Sequence, residues 1–191
     1  GGGDYRQGGW KMSVPLSTSW NGTIDVKHQL CSGCRLCEIA CSIAKEGKVY
    51  PAAARVRVAQ VFPGPVDVPV LCHRCSDHPC LEACPKKVRA ISWDEEHQVL
   101  RIDQEKCWGN RCNKRCVRAC PQGGAIFIHP DTGKAMACDV CDGDPACVKA
   151  CPLKTLWYLP GSTFDGKHYA ARSPQKVSEA VRQRFYPGEL R

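Results

Sequence analysis

The stretch CSGCRLCEIAC, residues 31–41, places four cysteines within eleven residues. The intervals between them are two, two and three residues, so the first three thiols fall in one tight loop. Three further sets follow along the chain, and each ends in a pair of cysteines separated by three residues. A chain that groups its thiols in this way uses them as metal ligands or as cross-links, and that choice decides the fold.

The four sets use all 16 cysteines of the 191-residue chain, and in three sets a proline follows the last cysteine. The first set is Cys31, Cys34, Cys37 and Cys41; the second is Cys72, Cys75, Cys80 and Cys84; the third is Cys107, Cys112, Cys116 and Cys120; the fourth is Cys138, Cys141, Cys147 and Cys151. Because Phe, Leu and Ile are sparse, an ordinary apolar core would be thin, and bound metal is expected to help hold the fold.

Three explanations compete for these cysteines. Disulfides need well-oriented neighbours at short range and an oxidising compartment, and the N-terminal stretch GGGDYRQGGWKMSVPLSTSW lacks the apolar segment of a secretory signal. Structural zinc fits the C-x₂-C pairs in three sets, but zinc sites usually separate two such pairs by a dozen or more residues. The pattern C-x₂-C-x₂-C-x₃-C is typical of bacterial [4Fe–4S] ferredoxins, and the sequence favours this third explanation.

The ferredoxin pattern has a simple physical interpretation. Three closely spaced cysteines point inward and hold three irons of one cluster, while the fourth points away toward a second cluster. We expect the fourth cysteine to begin or lie on a short helix, and the proline after it to occupy that helix's first turn, where its missing N–H costs little. The first set matches this spacing throughout, except that Ser42 stands where the other sets have proline.

On these motifs, residues 24–158 resemble the four-cluster, ferredoxin-like iron–sulfur subunits of molybdenum and tungsten enzymes. The electron-transfer subunits of dimethyl sulfoxide reductase and formate dehydrogenase belong to this family. Similar polyferredoxins serve aldehyde ferredoxin oxidoreductase, tungsten benzoyl-CoA reductase, and some hydrogenases and carbon monoxide dehydrogenases. The resemblance implies four [4Fe–4S] clusters and a role as an electron-transfer subunit, with no catalysis by this chain alone.

The resemblance also implies a nested pairing, first set with fourth and second with third. Carried onto this chain, the four ligand groups are Cys31, Cys34, Cys37 with Cys151; Cys138, Cys141, Cys147 with Cys41; Cys72, Cys75, Cys80 with Cys120; and Cys107, Cys112, Cys116 with Cys84. Such an exchange joins distant segments, so cluster binding and folding are expected to be nearly one event.

The third set departs from the family pattern, because its intervals are four, three and three residues. The longer loop predicts that the cluster at Cys107, Cys112 and Cys116 differs most from the others, and an altered potential, a three-iron form and an absent cluster all remain open. Trp108 beside the first ligand is a candidate shield against water, and ordinary packing is the alternative for it. His73 and His78 lie inside the second set, where we expect hydrogen-bonded or exposed side chains rather than iron ligands.

The predicted fold class is α+β: two interleaved bacterial-ferredoxin-like modules of short hairpins and short helices around the clusters. Residues 1–22 form an N-terminal extension, 23–71 with 121–160 an outer module, 72–120 an inner module, and 161–191 a C-terminal arm. Hairpins are expected in AISWDEEHQVLRID and AIFIHPDTGKAMAC. In the arm, Ser173 and Pro174 begin a helix with one apolar face, formed by Val177, Ala180, Val181 and Phe185.

The formal net charge of +8 suggests a nucleic-acid surface, but four clusters of roughly −2 each offset it. No aromatic and basic platform, catalytic triad, phosphate-binding loop or membrane-length apolar run is present. We therefore expect a cytoplasmic subunit without nucleic acid or direct membrane insertion. The resemblance implies a large tungsten- or molybdenum-pterin partner of the aldehyde oxidoreductase or benzoyl-CoA reductase type, with possible further electron-transfer subunits. A dimethyl sulfoxide reductase-type partner comes second, a hydrogenase or carbon monoxide dehydrogenase third, and a zinc scaffold is the alternative of another class.

Overall fold

A computed structural model describes residues 21–61, 66–161 and 173–185. Its helices are α1 (Leu36–Glu46), α2 (Pro79–Glu82), α3 (Arg115–Ala119), α4 (Ala146–Ala150) and α5 (Pro174–Phe185). Its strands are β1 (Gly22–Val26), β2 (Arg57–Val61), β3 (Val66–Val70), β4 (Ile91–Asp94), β5 (Val99–Ile102), β6 (Ile126–Ile128), β7 (Ala135–Ala137) and β8 (Leu156–Pro160). The fold is therefore small and mixed, with short helices and short strands.

The strands form four two-stranded antiparallel sheets. Three of them join consecutive strands, β2 with β3, β4 with β5 and β6 with β7. The latter two are the hairpins expected from the sequence, so both predictions are confirmed. The fourth sheet joins β1 to β8 and pairs Val26 with Leu156, which brings the segment before the first cysteine set against the segment after the last.

Each cysteine set is associated with one helix, but the position of that helix differs from the prediction. In the second to fourth sets the third cysteine lies inside the helix and the fourth follows it, as Cys147 and Cys151 do around α4. The prolines after these sets, such as Pro152, therefore lie beyond a helix end instead of in a first turn. The physical reason is that a helix stops readily before a residue that cannot continue its hydrogen bonds.

The first set behaves differently, because α1 continues past Cys41 to Glu46. It ends at Gly47, whose φ of 68° is left-handed and whose N–H donates to the Ile43 carbonyl at 2.9 Å. Glycine adopts this conformation without the steric cost that a Cβ brings. α1 packs on α4 in the same way that α2 packs on α3, so the four cysteine-bearing helices form two pairs.

The buried apolar residues form two main clusters, and cysteines belong to both. One cluster includes Ile24, Val26 and Leu156 with cysteines of the first and fourth sets. The other includes Ile91 and Leu100 with cysteines of the second and third sets, and also Ile126 and Ala135 of the β6–β7 hairpin. Cys72 packs against both clusters, so it lies where the two cores meet.

The C-terminal helix α5 begins as predicted, with the Ser173 hydroxyl accepting a hydrogen bond from the Lys176 N–H. Val177 is buried and packs with Val181 on Val68 of the β2–β3 hairpin. Ala180, expected on the same face, is exposed, because the contact is confined to the narrow strip that faces the hairpin. The side chain of Phe185 and most of the N-terminal extension lie outside the described residues.

In the parts of the chain that the structure describes, no helix has both the length and the apolar character required to cross a lipid bilayer.

Candidate metal centres

The structure gathers the cysteines into four groups, each containing three from one set and one from another. Site A is Cys31, Cys34, Cys37 and Cys151; site B is Cys41, Cys138, Cys141 and Cys147; site C is Cys72, Cys75, Cys80 and Cys120; site D is Cys84, Cys107, Cys112 and Cys116.

Sites A and C are the walls of two cavities. The four cysteines of site A share their cavity with Val58, Pro69 and Leu156. Those of site C share theirs with Trp93, Leu100 and other apolar residues. Within the described residues, no three His, Cys, Asp or Glu side chains converge closely enough to hold one ion. Four cysteines around one cavity match the number and kind of ligands that a [4Fe–4S] cluster takes.

At sites B and D the grouping of the cysteines is indicated by the effect that the charge of each thiol has on the pKa of the others. The pKa of Cys138 is raised by burial first and then by negative charge on Cys147, with a smaller contribution from Cys41. The pKa of Cys116 is raised to about 11, again by burial first, and then by charge on Cys112, with smaller contributions from Cys107 and Cys84. These influences act only at short range, so each fourth cysteine is close to a triplet from another set.

The sites follow one another in the order A, B, C and D. Cys147 of site B is close enough to Cys37 of site A for their charges to interact. Cys80 of site C interacts in the same way with Cys116 of site D. Between sites B and C, the Arg74 guanidinium interacts with both Cys138 and Cys72. Charge interactions therefore link site A to site B, site B to site C through Arg74, and site C to site D.

All four loops share one backbone feature although their lengths differ. The second residue after the first cysteine has positive φ in every set, at Gly33 (68°), Arg74 (57°), Gly109 (57°) and Val140 (60°). In each case its N–H donates to the sulfur of that first cysteine, at 3.4 Å for Gly109 and 3.5 Å for Val140. Backbone N–H groups turned inward in this way form a concave site for negative charge.

Further N–H groups reach the fourth cysteines. The Arg55 N–H donates to the Cys41 sulfur at 3.2 Å, and the Thr155 N–H donates to the Cys151 sulfur at 3.2 Å. Hydrogen bonds to sulfur are among the features by which proteins adjust the potential of an iron–sulfur cluster.

The thiols require a positive group to become ligands. Burial raises the pKa of Cys37 to about 12, and burial followed by charge on Cys72 and Cys120 raises the pKa of Cys80 to about 12. Thiols in such surroundings are neutral near pH 7, whereas cysteine binds metal as the thiolate. Bound iron supplies the compensating charge, so the cavities, the inward N–H groups and the buried sulfurs together fit [4Fe–4S] clusters.

The long loop of the third set is accommodated by a short 3₁₀ helix, Gly109–Cys112. This loop lies so close to the β6–β7 turn that a Cβ at Gly109 would overlap the Gly133 carbonyl. Trp108, the candidate shield beside Cys107, is 43% exposed. The role of Trp108 and the departure expected for the cluster at site D both stay predictions.

A 4Fe–4S dicluster domain matches residues 66–159. The polyferredoxin-like subunit of aliphatic sulfonate oxidoreductase from Pyrococcus furiosus is 45% identical over 63% of this chain and 66% of its own length. The putative electron transport protein YsaA of Escherichia coli is 37% identical over 66% of this chain and 82% of its own length. The chain belongs to the 4Fe–4S dicluster family of electron-transfer proteins.

This chain is also similar to part of a longer relative and to a chain of a solved complex. It spans 19% of the putative oxidoreductase UacF of Escherichia coli, at 38% identity. Among solved structures, the active site complex BamBC of benzoyl coenzyme A reductase in complex with benzoyl-CoA contains a similar chain. The similarity there has a TM-score of 0.44 and 23% identity, over 87% of this chain and 91% of that one.

The structure gives specific partners to His73, His78 and His129. His73 is buried, with Nε2 at 3.3 Å from the Cys75 sulfur, and His78 packs on Trp93 with its Nδ1 at 3.0 Å from the Cys75 carbonyl oxygen. The expectation of hydrogen-bonded side chains here is confirmed. His129 has its Nε2 at 3.4 Å from Glu46 Oε2.

Three charged residues near the sites were not identified from the sequence. Glu38 is buried, and its carboxylate accepts hydrogen bonds from the Val58 N–H at 2.7 Å and from Arg35 at 3.1 Å. The Asp67 carboxylate lies against Gly33 of site A. Arg74 is buried beside site C. Charged residues are normally on the surface, so only the tertiary structure reveals these three as parts of the sites.

Proposed function

We propose that this chain relays single electrons through four [4Fe–4S] clusters, held at sites A to D, to or from a catalytic partner subunit. The observation that supports it best is the grouping of cysteines from different sets into four sites that follow one another in space. A bound cluster supplies one-electron redox chemistry whose potential depends on its surroundings.

In this proposal the chain's own residues ligate the clusters, exclude water from them and adjust their reduction potentials. The 16 cysteines are the proposed ligands. Apolar neighbours such as Val58, Leu100 and Leu156 exclude water from the sites, and the lower dielectric strengthens every charge interaction there. The inward N–H groups stabilise added negative charge, which favours the reduced state.

We also propose the interleaved organisation, with residues 23–71 and 121–160 holding sites A and B and residues 72–120 holding sites C and D. The β1–β8 sheet supports it, because it joins the two ends of the outer module. The packing of Ile126 and Ala135 in the second apolar cluster indicates that the β6–β7 hairpin also contacts the inner module. In this proposal, residues 1–22 and 161–191 are the extension and the arm.

The proposed partner is the large subunit of an oxidoreductase, where the bond-making chemistry takes place on another cofactor. The name of the Pyrococcus furiosus relative, a subunit of aliphatic sulfonate oxidoreductase, supports a partner of this class. A tungsten or molybdenum pterin in that partner, of the aldehyde oxidoreductase or benzoyl-CoA reductase type, is proposed from the sequence resemblance. We place the complex in the cytoplasm, where thiols are kept reduced.

The cluster content is tested by anaerobic purification followed by analysis for iron, acid-labile sulfide and zinc. Four clusters correspond to about 16 iron and about 16 sulfide per chain, with a brown colour that dithionite bleaches. A three-iron or missing cluster at site D lowers the iron count by about one or about four. Colourless protein that contains zinc and no sulfide contradicts the proposal and supports the scaffold alternative.

The partner is tested by anaerobic co-purification of this chain from its native organism. We expect a large subunit that contains tungsten or molybdenum and is reduced or oxidised through this chain. A nickel-containing partner instead identifies the hydrogenase or carbon monoxide dehydrogenase alternative, and purification without any redox partner contradicts the relay.

A further inference from the structure

Arg74 is a buried cation at the point where the two halves of the molecule meet. Only 7% of Arg74 is exposed to solvent, although arginine remains charged at any ordinary pH. It follows Cys72, the cysteine that packs against both apolar clusters. Burying a charge is unfavourable unless nearby groups compensate it, so the surroundings of this side chain indicate what it is for.

The contacts of Arg74 come from both halves. Its Nη1 donates to the Gln98 carbonyl oxygen at 3.2 Å, in the turn between β4 and β5. On the other side its charge interacts with Tyr158 of β8 and with Cys138 of site B. Its largest charge interaction is with Cys72 of site C. The guanidinium therefore lies between site B and site C.

The protein supplies little negative charge for this cation. Within the described residues Arg74 forms no salt bridge, and its Nη2 is buried without a hydrogen-bond partner. The half-buried Arg55 differs, because its guanidinium lies 2.6 Å from the Glu46 carboxylate. The negative groups that remain near Arg74 are the sulfur ligands of sites B and C.

We propose that Arg74 is the shared counter-charge of the clusters at sites B and C and raises the reduction potential of both. This inference rests on the proposed function, since it requires clusters at those two sites. A fixed positive charge in a low-dielectric interior stabilises the form of each cluster that carries one more electron. Arg74 thereby stabilises an electron on either cluster at the junction between sites A and B on one side and sites C and D on the other.

The test compares potentials in the cluster-loaded chain, followed by electron paramagnetic resonance during a reductive titration. Signals are assigned to sites through alanine variants of one cysteine in each. In Arg74→Gln we expect the equilibrium constant for reduction to fall about tenfold or more at site B and at site C. For one electron, a tenfold fall lowers the reduction potential by about 59 mV. Sites A and D stay at their wild-type potentials.

Two further variants separate charge from structure. Arg111→Gln removes the same charge beside Cys112 of site D, but from an exposed side chain, and we expect a much smaller shift at every site because water screens it. Arg74→Lys keeps the charge and is expected to retain most of the wild-type potential at sites B and C.

The outcomes are distinguishable. Unchanged potentials at sites B and C in an iron-replete Arg74→Gln variant overturn the proposal, as does an equal shift at all four sites. If Arg74→Gln fails to retain iron, Arg74→Lys decides: retention with near wild-type potentials supports the counter-charge, and equal loss of iron overturns it. A wild-type chain without iron and sulfide contradicts the proposed function itself.

Discussion

The Ser42 hydroxyl oxygen accepts a hydrogen bond from the Tyr50 N–H at 3.0 Å. The same hydroxyl donates to the Ile39 carbonyl at 2.8 Å, and Ser42 is completely buried. It thus connects α1 to the chain that returns after Gly47. This contact explains why the first cysteine set has serine where the other three have proline: α1 continues through this position, whereas the other helices end before it.

We expect Ser42→Ala to destabilise the cluster-loaded protein by about 1 kcal/mol or more, because it leaves the half-buried Tyr50 N–H without its acceptor. Ser42→Pro should cost about 3 kcal/mol or more, since it also removes a hydrogen bond inside α1. Urea unfolding followed by circular dichroism measures both effects, with Ser92→Ala on the exposed face of β4 as control. Equal stability of Ser42→Pro and wild type would show that α1 does not extend past Cys41.

The nested cysteine pairing predicts which pairs of substitutions are redundant. Cys31→Ala and Cys151→Ala remove ligands of the same site, so the double variant should lose no more iron than the more damaging single variant. Cys31→Ala with Cys72→Ala affects sites A and C, and their iron losses should add. Iron and sulfide analysis of the single and double variants decides, and additive losses for Cys31 and Cys151 would refute the pairing.

Gly33 offers a test of close packing at site A. Its φ is 68°, and a Cβ added there would lie 2.6 Å from the Asp67 carboxylate. Gly47 has the same φ, and a Cβ added at that position would have nothing within 4 Å, so Gly47→Ala measures the backbone strain alone, about 1–2 kcal/mol. We expect Gly33→Ala to cost more than Gly47→Ala in urea unfolding.

The added Asp67→Ala substitution should restore only the difference between these two variants, because it removes the clash and leaves the strain. If Gly33→Ala and Gly47→Ala are equally destabilising, the Asp67 carboxylate moves aside freely and makes no close contact in solution.

Removal of iron should unfold much of the chain, since cysteines belong to both apolar clusters. Anaerobic chelation is expected to abolish the near-ultraviolet circular dichroism, whereas a mock treatment without chelator preserves it. Burial raises the pKa of Cys72 to about 11 and that of Cys37 to about 12, so these thiols bind protons that iron must displace. Iron binding should therefore release protons and weaken as pH falls; pH-independent binding would contradict this.

The sequence predicted the two hairpins and the division of the cysteines into four sets, because both depend on spacing along the chain. The interval of each set determines which sulfurs share a loop, and the turn residues determine where each hairpin reverses. The position of the helices was harder to predict: the prolines were assigned to helix starts, although they follow helix ends. A proline is compatible with both positions, and only the observed hydrogen bonds distinguish them.

The charged residues at the sites could not be predicted, since their role depends on contacts between distant segments. The Glu38 carboxylate accepts a hydrogen bond from the Val58 N–H, and the Asp67 carboxylate lies against Gly33. The charge of Arg74 interacts with Cys138. All three interactions depend on tertiary packing. The positive φ that all four sets share, at the second residue after the first cysteine, could not be predicted from the sequence either. Glycine occupies that position in only two of the four sets, so its identity alone did not reveal the common backbone.

The β1–β8 sheet has a mechanical consequence. Asn21 and Gly161 lie side by side at its outer end, where the Gly161 N–H donates to the Asn21 carbonyl at 2.8 Å. Force that separates these two residues acts across the strands and breaks the cross-strand bonds one after another, so the sheet resists tension poorly. Its inner end, at Val26 and Leu156, lies a few residues from Cys31 and Cys151, and tearing the sheet would reach site A first.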